Sequence, residues 1–301
     1  METKKKIVVA ICTYKRPNML SRCLESVLSA DFDVSGYTVE FLAVDNSPEC
    51  EGQEVVARYG GRVNYATESK KGYASARNCA LKKALELGAD FISFVDDDEF
   101  VDKNWLKELV LAMEKFEADV VSSSPIQVFE DESTPSYIKN NFIFNKKNKK
   151  KTGRKRTTSG TDNVLFSADL VRRSELYFDE SSNNMIGEDI LFFSRANDLG
   201  YKIIWCNESI VYESIPKERA SLEWVLKRHF MNGYFNGLNE PRGLGEIIFN
   251  IALFALLLPF SRLLGKTAFY NTLSKFYRKN GEIAGLVLKE PLVYHRNALG
   301  G

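Results

Sequence analysis

The run Phe91-Ile92-Ser93-Phe94-Val95-Asp96-Asp97-Asp98-Glu99 decides how this chain is read. Five residues of strand-forming, mostly apolar character end in four consecutive acids. An apolar run of that length reads as a strand buried on both faces, the habit of parallel sheets. In open α/β sheets the ligand crevice lies outside the carboxyl ends of such strands. Adjacent carboxylates repel one another unless a cation is present. Hard cations such as Mg²⁺ or Mn²⁺ take carboxylate oxygens and share their sphere with substrate phosphates. A helix start explains one or two acids, because Asp and Glu favour a first turn and a helical pattern follows from about Asp102. It does not explain four at a strand end. The stretch predicts a divalent metal, Mn²⁺ or Mg²⁺, holding a diphosphate.

On either side of this strand the first two-thirds of the chain alternates strand and helix. Strands are expected at 7–13, 39–45, 62–66, 91–95 and 119–123. Helices are expected at 17–29, with Pro17 in the first turn, at 54–59, at 73–87 before Gly88, and at 103–116. That order implies an α/β fold with a mostly parallel central sheet flanked by helices. Residues 125–159 lapse into irregular polar sequence containing the basic run 146–156, a long loop of the functional or disordered kind. Strand patterns return at 164–167, 202–206 and 210–213, with a helix at 188–199 between them.

With 301 residues the chain suits one large domain with an appendage. Lys and Arg number 41 against 40 Asp and Glu, a net charge of +1, so no global attraction to nucleic acid is expected. Five scattered cysteines, with no paired spacing, fit reduced thiols in a reducing compartment. The basic start is followed by too short an apolar run for a signal peptide, which places the catalytic part in the cytosol. The tail differs. A helix is expected over 221–235, then an almost wholly apolar run at 247–260, interrupted by Asn250 and Pro259 and followed by Arg262, Lys266, Lys275, Arg278 and Lys279. As a core helix it would be unusually apolar around its circumference. With basic flanks it fits a helix lying in the interface on the inner face of the plasma membrane, within a segment of about 244–264. The tail is expected to be separable, with truncation after Gly243 leaving a soluble nucleotide-binding part.

Four further segments sit where strands end or helices begin: Ile11-Cys12-Thr13-Tyr14-Lys15-Arg16-Pro17, Val44-Asp45-Asn46-Ser47, Lys71-Gly72-Tyr73-Ala74-Ser75-Ala76-Arg77-Asn78, and Gly187-Glu188-Asp189-Ile190-Leu191-Phe192-Phe193. Singly, Asp45 could cap a turn, Arg77 could be a solvated charge and Asp189 a first-turn acid. In this order the set resembles family 2 glycosyltransferases of the GT-A fold, in the bacterial branch that builds surface polysaccharides. The resemblance spans about residues 6–215. It implies a nucleotide-binding part at about 1–124, an acceptor-side part at about 125–215 and a helical region at 216–301.

By that resemblance Thr13 and Tyr14 lie against the nucleobase, Asp45 accepts a hydrogen bond from it, and Arg77 contacts base or phosphates. Arg16 and Lys71, in the same segments, count with the donor-binding residues. Asp96 and Asp98 match the DXD element, with Asp97 available to ribose or metal. Asp189 matches the catalytic base and Glu188 its supporting neighbour. The implied reaction is a single inverting displacement, moving one sugar from a nucleotide-diphosphate donor, a UDP-sugar, to a hydroxyl of a lipid-linked saccharide. The Gln-x-x-Arg-Trp element of processive relatives is absent, and Arg228-His229-Phe230 stands nearby instead. His229 reads as a core histidine on an apolar face or as a further metal ligand, with Arg228 reaching for phosphates. Two other readings are a non-catalytic nucleic-acid or lipid-surface protein using the basic run, and a sugar nucleotidylyltransferase. The first conflicts with the acids, which repel phosphate. The second lacks a glycine-rich loop after the first strand.

Overall fold

The computed structural model describes residues 4–144, 151–183, 187–239 and 242–290. The chain opens with β1 (Lys5–Thr13), α1 (Pro17–Ser29), β2 (Tyr37–Asp45), α2 (Gly52–Ala57), β3 (Val63–Thr67), α3 (Tyr73–Glu86) and β4 (Phe91–Asp96). There follow β5 (Glu99–Val101), α4 (Trp105–Phe116), β6 (Val120–Ser122), β7 (Ile126–Phe129), α5 (Ser136–Lys139), β8 (Lys155–Arg156), β9 (Val164–Ser167) and α6 (Asp169–Arg172). Then come α7 (Glu188–Asp198), β10 (Ile203–Trp205), β11 (Val211–Ile215), α8 (Leu222–Asn239), α9 (Leu244–Ser261) and α10 (Lys266–Leu288).

The main sheet has the order β3-β2-β1-β4-β9-β6-β10-β8. β1, β2, β3 and β4 run parallel, as do β6 and β10. β9 lies antiparallel between β4 and β6. Strand alternation splits the core between two faces. Ile7, Val9 and Ile11 of β1 pack with α1 and α4, while Val8 and Ala10 pack with α3 and α7. A second sheet, β5-β11-β7, stands beside the acid stretch. Its strand β5 begins at Glu99, so the last of the four acids is already in a strand and not in a helix start.

The region expected to be irregular holds β7, α5 and β8. Of the basic run, 146–150 lie outside the described residues, and Lys155–Arg156 form an antiparallel edge with β10. Arg156 covers the Trp205 ring. Tail residue His295 also lies outside the described residues.

The tail is less separable than its sequence suggests. α8 and α10 cross with reciprocal glycines, Gly233 and Gly237 against Gly281 and Gly285. A Cβ on any of the four would overlap the facing backbone. Gly233 meets Arg278 and Gly237 meets Glu282, while Gly281 meets Phe230 and Gly285 meets Tyr234, so the two helices run parallel. Asn141 donates to Ser274 of α10 at 3.0 Å and pairs with His229 of α8 at 2.9 Å. Val225 of α8 shares a small core with Ile138, Phe144 and Ile215. α10, expected only as part of a helical region at 216–301, is thus part of the folded body. Truncation after Gly243 would strip it from α8, contrary to the expectation of a soluble remnant.

Candidate active site

Register brings the expected residues to one edge of the main sheet. Thr13 pairs with Asp45, Asp45 with Thr67, and Cys12 with Asp96. All stand at carboxyl ends, beside the central strand β1 whose neighbours connect in opposite directions. Asp45 is fully buried. One oxygen accepts from the Ser47 amide and hydroxyl, the other from the Gly52 amide and Tyr65 hydroxyl. It holds the turn after β2, and the same bonds occupy the acceptor positions offered to a base. Asn46 continues this role, donating to the Glu68 and Lys70 carbonyls and accepting from the Gly72 amide. These bonds carry Lys71 to the edge, where its ammonium lies 4.8 Å from the Tyr14 ring centre. Such a contact fits a basic residue beside an aromatic platform.

The four acids have distinct environments. Asp97 accepts from the Thr13 hydroxyl at 2.8 Å and from Arg16 at 3.2 Å. Asp98 is bound by Arg16 at 3.3 Å and by Arg219 at 2.9 Å. Glu99 accepts from the Asp96 amide, and burial pushes its carboxyl well above the usual range, with Asp96 and Asp162 adding to the effect. Asp96 alone of the four keeps a substantial part of its side chain, 31%, open to solvent.

Arg77, in the first turns of α3, is buried between the acid stretch after β4 and the start of α7. Its guanidinium forms an ion pair with Glu188 and lies 3.6 Å from Asp96. Burial works against its charge, and Glu188, Asp96 and Asp189 more than offset it. Burial raises the Glu188 carboxyl to about 7, with Arg77 opposing and Asp189 reinforcing. Asp189 accepts from the Ile190 amide through one oxygen. Its other oxygen faces Gly160, where a Cβ would come within 3.3 Å of it and would overlap the Asp162 carboxylate. Gly160 keeps space open at Asp189.

This arrangement of strand-end acids and a helix-start acid pair has counterparts. Residues 8–174, more than half of the chain, match the family model described as glycosyl transferase family 2. The chain belongs to glycosyl transferase family 2. Among its relatives, the succinoglycan biosynthesis protein ExoM of Rhizobium meliloti is 28% identical over 82% of this transferase and 80% of its own length. The poly(ribitol-phosphate) β-N-acetylglucosaminyltransferase TarS of Staphylococcus aureus is 22% identical over 71% of this chain but only 36% of its own. In structure, TarS 1–349 in complex with UDP superposes with a TM-score of 0.52 at 17% identity, covering 93% of this chain and 90% of that one. The mannosyltransferase PcManGT from Pyrobaculum calidifontis, in complex with GDP-Man and Mn²⁺, superposes at 0.57 and 14% identity, covering 97% and 77%. These likenesses establish the GT-A fold.

The donor set of the transferase suits a hard cation in chemistry. Asp96, Asp97, Asp98, Glu188, Asp189 and Glu213 lie along the arginines Arg16, Arg77 and Arg219, and Asp162 adds its charge near Glu99. Among the described residues no three His, Cys, Asp or Glu side chains already converge as a metal cage. That suits a cation taking one or two carboxylates and completing its sphere with phosphate oxygens and water. Asp96 offers such a cation an exposed carboxylate, while Asp98 is held by Arg16 and Arg219.

His229, expected as a further ligand, is engaged elsewhere. It is buried on α8, its ring 4.3 Å from the Phe142 ring, and its Nε2–H donates to Asn141. Burial, reinforced by Arg278 and Arg228, lowers its pKa to about 4, so it is neutral. The apolar helix face on which it sits was the correct signal for this core position. Arg228 lies beside it on α8. Sequence reading missed Arg219, Glu213, Asp162 and Gly160, which meet the acids only through contacts distant in sequence. It also missed Asn183, whose amide oxygen accepts from the Ser75 amide in the first turn of α3.

Proposed function

We propose that this transferase moves one sugar from a UDP-sugar, with inversion, to a hydroxyl of a lipid-linked saccharide in bacterial surface-polysaccharide synthesis. The observation that carries the reading is the position of Arg77. One guanidinium touches Asp96 at the donor edge and Glu188, the neighbour of Asp189, so donor acid and candidate base stand within one side chain of each other. The relatives add the direction: ExoM is named for succinoglycan biosynthesis, and TarS has been crystallised with UDP and with UDP-GlcNAc.

Asp96 and Asp98 would hold a divalent cation, Mn²⁺ or Mg²⁺, which when bound would supply Lewis-acid stabilisation to the departing diphosphate. The chain's own residues do the rest. Tyr14, with Lys71 over it, offers the base a flat surface. Asp189 takes the proton from the acceptor hydroxyl as that oxygen attacks the anomeric carbon. Arg77 fixes Glu188 and through it the first turn of α7. Gly160 leaves room for the acceptor. One base and no covalent nucleophile suffice for a single displacement, which inverts the anomeric centre.

The reading places the enzyme on the inner face of the membrane, held by α9. The segment Leu244–Leu264 is 21 residues long, and an 18-residue window within it has mean hydropathy 2.1 with only 11% of its residues buried. Its length reaches that of a span, longer than the apolar run suggests by itself. The parallel packing of α8 and α10 favours the in-plane position. α9 is the return leg between the end of α8 and the start of α10. A crossing would drag both flanking helices, with Arg228, Arg278, Lys279 and Glu282, into lipid.

The test is a panel of UDP-, GDP-, ADP- and dTDP-sugars with Mn²⁺, scored by donor hydrolysis and thermal shift, with and without EDTA. UDP-sugars are expected to bind most tightly, and EDTA to abolish turnover. Equal affinity for UDP and GDP would overturn the donor assignment, and full turnover in EDTA the metal.

A further inference from the structure

Arg219 has no place in the sequence motifs, yet it is among the most buried charges at the site, 5% exposed. It lies in the turn between β11 and α8, where its own amide donates to the Pro216 carbonyl. Its guanidinium reaches back across the second sheet to Asp98 at 2.9 Å, with Glu213 at 3.5 Å. The Ser214 amide donates to the Asp98 carbonyl, so backbone and side chain both tie this turn to the acid stretch. The Asp98 oxygen that accepts from Arg219 also meets Arg16. The carboxylate that matches the last position of the DXD element is therefore held by guanidinium groups of the chain itself.

We propose that Arg219 is a built-in counterion for Asp98, which a divalent cation must displace. The inference rests on the reading of Asp98 as a metal carboxylate. Its physical basis is charge competition. A guanidinium and a divalent cation within reach of one carboxylate oxygen repel each other, and each satisfies the same charge. Without the cation, Arg219 spares the buried acids their mutual repulsion and keeps the edge folded. With it, the guanidinium shifts to Glu213, which already shares it. Because Arg219 sits in the turn that starts α8, loading the site loosens the link between the acid stretch and the helical tail. Arg219 is thus a positioning residue that sets how tightly the empty transferase takes a metal.

The test uses the full-length protein in detergent and Mn²⁺ alone, followed by the electron paramagnetic signal of free Mn²⁺. Arg219→Met removes the competing charge and should bind Mn²⁺ about tenfold more tightly than the parent, the scale of one charged hydrogen bond. Arg219→Lys keeps the charge and should stay near the parent. Weaker or unchanged Mn²⁺ binding in a folded Arg219→Met protein overturns the proposal, since a merely structural arginine would lower affinity on removal. A second measurement needs no variant. Amide hydrogen exchange at residues 217–221 of the parent should speed up when Mn²⁺ is added, and unchanged exchange overturns the proposal. If Mn²⁺ binds neither protein even with UDP present, the metal reading itself fails. If it binds both equally with UDP, only the counterion role fails.

Discussion

Asp189 and Glu188 are adjacent in sequence and opposite in environment. Glu188 is buried against Arg77, whereas Asp189 looks toward the space beside Gly160. Asp189→Asn keeps the shape and removes the basicity. It should lower kcat by about 10²-fold or more, the usual scale for a positioned base, while UDP affinity by calorimetry stays near the parent's. Near-normal turnover would move the base elsewhere, with Glu188 next in line. His229 makes a different prediction, about stability. Its pKa is about 4 in the folded protein against an ordinary 6.5, held down by burial, Arg278 and Arg228. As pH falls, the unfolded chain takes up this proton first, so stability present above pH 6.5 is lost between 6.5 and about 4. The full loss is on the order of 3 kcal/mol. His229→Gln keeps an N–H for Asn141 and does not titrate. The difference between the urea stabilities of parent and variant should therefore change with pH in that window and be flat above it.

The elements show where side chains are absent for a reason. On α8 and α10 the paired glycines let two backbones approach until no Cβ fits, the small-residue packing also used between helices in membranes. Gly233→Leu or Gly281→Val should cost about 3 kcal/mol or more, since the clash is with backbone and not with a flexible side chain. Gly245, in the first turn of α9, has nothing within 4 Å of a built Cβ. Gly245→Ala should be neutral or stabilising by up to about 1 kcal/mol, from helix propensity alone. Thermal unfolding of the three variants side by side checks the contrast, and equal behaviour would mean that the crossing is not tight.

At the scale of the whole molecule, α9 is the exposed leg of a helical unit otherwise joined to the catalytic body. Phe249, Leu256 and Phe260 are each at least 60% exposed. Each such side chain gains about 1.5–3 kcal/mol on leaving water. Changing all three to Ser should release the protein from vesicles containing anionic lipid while leaving UDP binding intact. Truncation after Gly243 should instead give aggregated protein, because it uncovers the glycine face of α8. Sedimentation with vesicles and size-exclusion chromatography separate the two outcomes. A triple variant that still sediments with vesicles would count against α9 as the anchor.

Read alone, the amino-acid order yielded the strands of the main sheet except β8, the helices 17–29 and 188–199 to within a residue, the acid edge and the family, but not β5 or β7. These follow from local pattern: apolar runs of strand length, helix stops at glycine, and acids after a strand. It also supplied the apolar tail helix. Three things needed the tertiary structure. β9 enters the sheet antiparallel between β4 and β6, because its partners lie more than forty residues away and no local pattern carries direction. Arg219 and Glu213 join the acids because β11 pairs with β5, a contact between segments more than a hundred residues apart. His229 leaves the metal set for a core site, because the partners that satisfy and neutralise it, Asn141 and Phe142, come from another part of the chain. Local sequence fixes which side chains have the right chemistry, and long-range packing decides which of them meet.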